Sequence, residues 1–111
     1  LRLDRLVTSP YDRALETAQI ALQAGLAPVL DSDERLCPGG PVAEVLNDHS
    51  GCVALVGHEP DLGLLACDLL GLPPGSLRIR KAGVVQLRFG PGGWTLEGLL
   101  RPKLLLGSLG I

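Results

Sequence analysis

The chain has 111 residues, of which 46% are hydrophobic and 20% are charged, a composition typical of a globular protein. This length predicts a single domain over residues 1–111. The 10 basic and 12 acidic residues give a net charge of -2, which excludes the basic surface that nucleic-acid binding requires. No apolar run approaches the ~18 residues that cross a bilayer, so we expect a soluble protein with no membrane partner.

The amino-terminal part of the sequence predicts a strand followed by a helix. Residues 5–8 have strand character, and Ser9 and Pro10 end the strand because a residue before proline is driven out of the helical region. We expect Ser9 to be the N-cap, Pro10 the first helical residue and Asp12 an acid in the first turn. The helix should end near Gly25. Apolar residues three and four apart mark its buried face: Tyr11, Ala14, Leu15, Ala18, Ala21 and Leu22.

The middle of the sequence predicts a loop-rich connection into a central strand. Residues 28–30 form a short extended piece, 31–40 a loop rich in Asp, Pro and Gly, and 41–47 a short helix. The continuous apolar run at 52–56 is bounded by glycines and has the length of a strand. A strand that is apolar on both sides belongs in the middle of a covered sheet.

The carboxy-terminal part predicts a helix and a hairpin. Pro60 begins the helix and Gly71 ends it. Beyond the helix, apolar residues recur at every second position, which predicts paired strands over 84–89 and 94–100. The order of elements indicates an α/β fold with a mostly parallel central sheet and an antiparallel C-terminal edge.

The three cysteines do not indicate a metal site. Cys37, Cys52 and Cys67 contain no C-x-x-C pair, and their number is odd, so neither zinc ligation nor a closed disulfide set is expected. Cys52 and Cys67 lie in apolar segments, where a thiol packs as a small hydrophobic side chain. Free thiols are typical of a reducing compartment. We therefore predict a cytoplasmic protein without metal or cofactor.

Two side chains are expected at the edge of the sheet where ligands bind in open α/β folds. Arg13 lies in the first turn of the helix after the first strand, and His58 is the second residue after the strand at 52–56. Taken alone, an arginine in a first helical turn is usually a solvated surface charge. A lone histidine after a strand is more often a structural residue that forms hydrogen bonds. Together, beside helix amides, they predict an anion site for phosphate, which inorganic phosphate or sulfate would also occupy.

Residues 8–18 resemble the Ser-Pro-x-x-Arg-Ala-x-x-Thr-Ala helix start of the histidine phosphatase superfamily. Residues 55–60 are similar to that superfamily's second histidine motif, Gly-His-x-Pro. The short connection between the motifs, with residues 81–83 and 99–103, most resembles the small SixA-type phosphohistidine phosphatases. The resemblance covers nearly the whole chain and implies a three-layer α/β/α fold of the phosphoglycerate mutase type.

The resemblance also implies roles for particular residues. Arg13 would clamp two phosphoryl oxygens with its planar guanidinium, and His58 would supply a second donor to the developing charge. Ser9 is a weaker candidate for contact with the phosphate, since a helix cap is its more ordinary role. In a phosphomonoesterase, Glu34 in the loop near the edge or Glu59 beside His58 could be the general acid, although Glu59 is more typical of a charge at a helix start. Glu34 and Lys81, which lies at a strand start, are also weaker candidates for contact with the phosphate.

One part of the family pattern is absent from the sequence. The family's nucleophile is a histidine in an Arg-His-Gly turn, and no Arg-His pair occurs here; His49 has the wrong neighbours. The chain also lacks Met, so we expect an N-terminally truncated domain without its first strand, that turn and a helix, roughly 30–45 residues. Such a chain should not turn over substrate alone. Loss of a central strand should expose apolar sheet edges and make the protein marginally stable or prone to associate.

The leading functional hypothesis is a phosphohistidine phosphatase that acts on a protein partner through a covalent phosphohistidine intermediate. The short connection before residue 52 leaves no room for a large lid, which favours a phosphorylated protein side chain over a sugar phosphate. Two alternatives stay open. One is a small-molecule phosphomonoesterase of the same superfamily, and the other is a phosphate-binding module without catalysis.

Overall fold

The computed structural model describes residues 3–58, 60–76 and 82–100. These ranges contain strands and helices that alternate along the first two thirds of the chain and end in a hairpin. In chain order they are β1 (Arg5–Thr8), α1 (Asp12–Gln23), β2 (Leu30–Ser32), α2 (Val42–Val45), β3 (Cys52–His58), α3 (Asp61–Leu70), β4 (Ala82–Gly90) and β5 (Gly93–Leu100), with short 3-10 turns at Glu34–Leu36 and Leu46–Asp48.

The strands form one mixed sheet in the order β2-β1-β3-β4-β5. The described strands make two parallel pairings, β1 with β2 and with β3, and two antiparallel ones, β4 with β3 and with β5. The α/β class and the antiparallel C-terminal edge are therefore confirmed. The expectation of a mostly parallel sheet is wrong, because the hairpin returns directly along β3 and makes half of the pairings antiparallel.

The centre of the sheet has no open edge. β3 pairs with β1 on one side and, from Cys52 opposite Arg88 to His58 opposite Ala82, with β4 on the other. The exposed apolar edge expected at the centre of the sheet is therefore wrong for this structure. Within the described residues the outer strands are β2 and β5.

Alternation along the central strand divides the core into two halves. Successive side chains of a strand point to opposite faces of the sheet. Cys52, Ala54 and Val56 pack on the face covered by α1, through its Ala14, Ala18 and Ala21. Val53 and Leu55 pack on the other face, where α2 contributes Val42 and Val45 and α3 contributes Leu62 and Leu65. The continuous apolar run of the sequence is thus explained by burial on both faces.

The bounds of the helices differ by a few residues from expectation. α1 begins at Asp12 rather than Pro10, and its N-cap is Tyr11 rather than Ser9. Ser9 stays on the sheet, since its N–H donates to the carbonyl of Val56 at 2.9 Å. α3 ends as predicted at Gly71, whose φ of 71° is the left-handed conformation that glycine adopts without strain.

Among the described residues, no helix has both the length and the apolar composition that crossing a membrane requires.

The expected loop at 31–40 is more ordered than its composition indicated. Residues 31 and 32 belong to β2, and residues 34–36 form a 3-10 turn. The Asp33 carboxylate caps this turn, since it accepts a hydrogen bond from the N–H of Arg35 at 2.9 Å. Arg35 holds this turn to the next segment. Its guanidinium binds the carboxylates of Asp33 at 2.7 Å and Asp48 at 2.5 Å, and donates to the carbonyl of Glu44 at 3.2 Å.

We expect this arginine cluster to contribute stability that is lost in acid. The hydrogen bond from Arg35 holds the pKa of the Asp33 carboxyl below its ordinary value, against the opposing effect of burial. Because the folded pKa is the lower one, the contribution is full above the unfolded value of about 3.9 and is lost as pH falls through the folded value. Arg35→Met should therefore flatten the fall in the free energy of unfolding below about pH 4, measured by urea denaturation.

The matched control for the acid experiment is a double-mutant cycle. In an Asp33→Asn background the carboxylate is already gone, so Arg35→Met should change the acid slope much less than it does in the wild-type chain. Equal changes of slope in both backgrounds would show that the acid sensitivity arises elsewhere.

Candidate active site

The candidate site lies at the carboxyl ends of β1 and β3. These strands are adjacent and parallel, with Thr8 opposite Val56, so both chains leave the sheet at the same edge. His58 is the last residue of β3, paired with Ala82, rather than a residue beyond the strand as expected. The first turn of α1 follows the end of β1 by three residues. The topology therefore places Arg13 and His58 at the same edge, as the sequence predicted.

Ser9, the residue that follows β1, contacts His58. Its Oγ lies 3.0 Å from Nε2 of His58, and its side chain is fully buried. The N–H of Tyr11 donates to the same Oγ at 3.1 Å, and Cys37 Sγ lies 4.0 Å from it. The Ser9 hydroxyl thus connects the exposed turn before α1 with the histidine at the end of β3.

Tyr11 forms a second contact with the histidine. The two rings are 5.4 Å apart between centroids at an interplanar angle of 61°, an edge-to-face arrangement. The helical periodicity predicted Tyr11 on the buried face of α1, and this is wrong: 54% of the residue is exposed. Tyr11 precedes the helix, so the helical period does not govern its direction. No signal in the sequence indicated its contact with His58.

Gly57 allows the surrounding segments to approach the site closely. A Cβ at this position would lie 3.3 Å from Cδ1 of Leu62 on α3 and 3.4 Å from the carbonyl oxygen of Leu36. These distances are at or below the tight end of ordinary packing contacts, so a side chain here would push α3 or the 3-10 turn away. The glycine before His58 therefore allows the Leu62 side chain and the Leu36 carbonyl to approach β3 closely.

Arg13 differs from the other described arginines in having no carboxylate partner among the residues that the structure describes. Arg5 pairs with Asp31, Arg88 with Glu97, and Arg35 with two aspartates. Arg13 is the second residue of α1 and is exposed, and no ion pair with a described residue holds its guanidinium. A cation near the positive end of a helix is electrostatically unfavourable unless an anion neutralises it. This arrangement favours an anion at the edge.

Glu34 and Lys81 are the remaining site residues that the sequence predicted. Glu34 is exposed at the start of the 3-10 turn, and the N–H of Asp33 donates to the carbonyl of Thr8 at 2.8 Å, which holds that turn beside the end of β1. Lys81 lies outside the described residues. No group of three or more His, Cys, Asp or Glu side chains in the described ranges could hold a metal ion.

The second histidine of the chain lies at the opposite edge of the sheet. His49 lines a cavity of about 550 Å3 together with Asp4, Arg5, Asp31, Asp48, Ser50 and Gly51. These residues lie near the amino ends of β1 and β3. The seven residues of β3 separate this cavity from His58 by roughly 20 Å at the usual rise of a strand. His49 therefore does not belong to the candidate site.

Comparison with known proteins adds one relative. No family model matches the sequence. An uncharacterized protein of Picosynechococcus sp. is 34% identical to it over 98 residues, which cover 81% of this chain and 59% of the relative. The chain therefore spans about three fifths of the length of the curated relative that it matches.

Proposed function

We propose that this chain carries the phosphate-binding residues of a SixA-type phosphohistidine phosphatase, an enzyme that removes phosphate from a phosphorylated histidine on a protein partner. The proposed fold is the three-layer, phosphoglycerate mutase-like arrangement. Helices packed against both faces of the mixed sheet agree with such layering. The support from sequence is the pair of motifs that contain Arg13 and His58.

One observation carries the proposal: at the edge that presents His58, Arg13 forms no ion pair with a described carboxylate. A phosphoryl group would supply the negative charge that no described carboxylate brings to the Arg13 guanidinium. Its oxygens accept hydrogen bonds in pairs from a planar guanidinium. The imidazole at the end of the neighbouring strand would then donate to another oxygen. These contacts position the phosphorus and stabilise its charge, which is most of what phosphoryl transfer needs.

The proposed reaction requires a nucleophilic histidine. This nucleophile attacks phosphorus, the N–P bond of the partner's phosphohistidine breaks, and the leaving imidazole keeps the electron pair and takes up a proton. Water then attacks the phosphorylated enzyme histidine and releases inorganic phosphate. Neither His49 nor His58 follows an arginine, so the nucleophile of the family motif is not within these 111 residues.

The exposure of the edge favours a protein substrate. Tyr11 and Arg13 are both exposed at the point where a phosphoryl group would bind. A side chain that projects from another protein can reach such an open edge, whereas a small ester would leave most of its own surface in water. A small phosphate ester stays the alternative substrate, and binding without turnover is the alternative for this chain alone.

The phosphate site can be tested on the chain itself. We expect inorganic phosphate to shift the NMR signals of His58 and of the first turn of α1, because the anion would bind between them. His49 lies at the opposite edge and is the internal control, so its signals should not follow the titration. Equal shifts at both histidines, or no saturable shift at His58, would contradict the proposed site.

The reaction itself needs a protein that contains the family's Arg-His-Gly turn together with these residues. Such a protein should release phosphate faster from a phosphohistidine protein than from p-nitrophenyl phosphate. A preference for p-nitrophenyl phosphate would favour the phosphomonoesterase. Phosphate binding without activity on either compound would favour the noncatalytic module.

A further inference from the structure

We infer that Ser9 is a positioning residue that keeps neutral His58 protonated on Nδ1, so that Nδ1–H is the donor which meets an anion. The inference concerns the same site as the proposed function and depends on it only for the identity of that anion. It changes the role of Ser9: a fully buried hydroxyl acts on the phosphate through the imidazole and not by direct contact.

The surroundings of the Ser9 hydroxyl determine the direction of its hydrogen bond. The N–H of Tyr11 can only donate, and at 3.1 Å it occupies one lone pair of Oγ. Among the described residues the hydroxyl proton then has two possible acceptors, Nε2 of His58 at 3.0 Å and the sulfur of Cys37 at 4.0 Å. A ring nitrogen at ordinary hydrogen-bond length is a far better acceptor than a thiol sulfur at that distance. Ser9 therefore donates to Nε2.

The direction of this bond fixes the tautomer of the neutral ring. A nitrogen that accepts a hydrogen bond carries no proton, so the proton of neutral His58 lies on Nδ1. Nδ1 has no hydrogen-bond partner among the described residues. The edge-to-face contact with Tyr11 restrains the plane of the ring. The imidazole is thus held at one nitrogen and one side, and no described residue occupies the other nitrogen.

Tyr11, in the turn before α1, also helps to hold Ser9 and His58 in place. Tyr11 fixes Ser9 through its backbone N–H and contacts His58 through its ring, so one residue restrains both partners of the Ser9–His58 bond. Because every residue except proline has the backbone N–H, other side-chain substitutions at residue 11 should leave the tautomer unchanged. Substitution of Ser9 should change it.

The test is the imidazole nitrogen spectrum of the chain labelled with 15N, recorded without phosphate at about pH 8.5, where a free imidazole is neutral. We expect Nδ1 of His58 to give the signal of a protonated nitrogen and Nε2 that of an unprotonated one. Ser9→Ala should shift His58 towards a mixture of tautomers and weaken phosphate binding roughly fivefold to tenfold, the effect of one hydrogen bond. Ser9→Thr keeps the hydroxyl and should keep the tautomer.

Two controls separate the role of Ser9 from a general loss of structure. Thr8→Val removes the neighbouring buried hydroxyl, which donates to the carbonyl of Ser9 at 2.9 Å, and should leave the His58 tautomer unchanged. His49 should be unaffected in every variant. A wild-type His58 with its proton on Nε2 would overturn the inference, whether or not Ser9→Ala folds, and so would an unchanged tautomer in Ser9→Ala. Because the tautomer is read without phosphate, failure of phosphate to bind would count against the proposed function alone.

Discussion

Replacing Leu55 by alanine should lower the free energy of unfolding by about 2–5 kcal/mol. Leu55 is fully buried in the middle of β3, and it belongs to the half of the core that α2 and α3 cover. Removal of its methyl groups loses their transfer free energy and leaves a cavity that the paired strands on both sides cannot fill. A domain of this size is stabilised by only about 5–15 kcal/mol, so the loss is a large part of the total.

The matched control for the core substitution is Leu70→Ala. Leu70 is the last residue of α3 and is 49% exposed, so the same change of side chain should cost no more than about 0.5 kcal/mol. Urea denaturation of both variants gives the comparison, with the midpoint shifted and the slope unchanged for Leu55→Ala. Similar small losses in the two variants would show that β3 is not the buried centre of the sheet.

The elements of the fold were predictable where their signals are local. The run at 52–56 predicted a strand covered on both faces, and its side chains do divide between the two halves of the core. Gly71 predicted the end of α3, because a left-handed residue terminates a helix whatever packs around it. The change to a period of two predicted the hairpin of β4 and β5. Each of these features depends on residues a few positions apart.

The errors arose where a distant strand determines the local structure. β3 continues through Gly57 and His58 because β4 offers partners at Gly83 and Ala82. Ser9 remains on the sheet through its bond to Val56 and does not cap α1. The sheet is mixed because β4 takes the place beside β3. Periodicity describes one segment at a time, so it does not encode which strand will pair with which.

The candidate site was predictable in its position and not in its internal contacts. Adjacent parallel strands that end at one edge were enough to place Arg13 and His58 at the same edge of the sheet. The bond between Ser9 and His58 joins residues 49 positions apart, and no spacing rule indicates it. The same holds for Arg35, whose partner Asp48 is 13 positions away. Side chains that converge from separate segments are visible only after the chain has folded.

Replacing Arg13 by alanine should weaken the binding of inorganic phosphate by about 10–100-fold, the effect of one or two charge-assisted hydrogen bonds. The phosphate affinity of Arg13→Lys should lie between those of the wild type and Arg13→Ala, because an ammonium keeps the charge and loses the paired geometry of the guanidinium.

Arg88→Ala is the matched control for Arg13→Ala. It removes one exposed positive charge at the opposite edge of the sheet, where Arg88 is paired with Cys52 of β3 in the strand register and its side chain binds Glu97. Titration calorimetry should show nearly unchanged phosphate affinity in that variant. An equal loss in Arg13→Ala and Arg88→Ala would mean that phosphate responds to net charge alone, and the edge beside His58 would then not be a phosphate site.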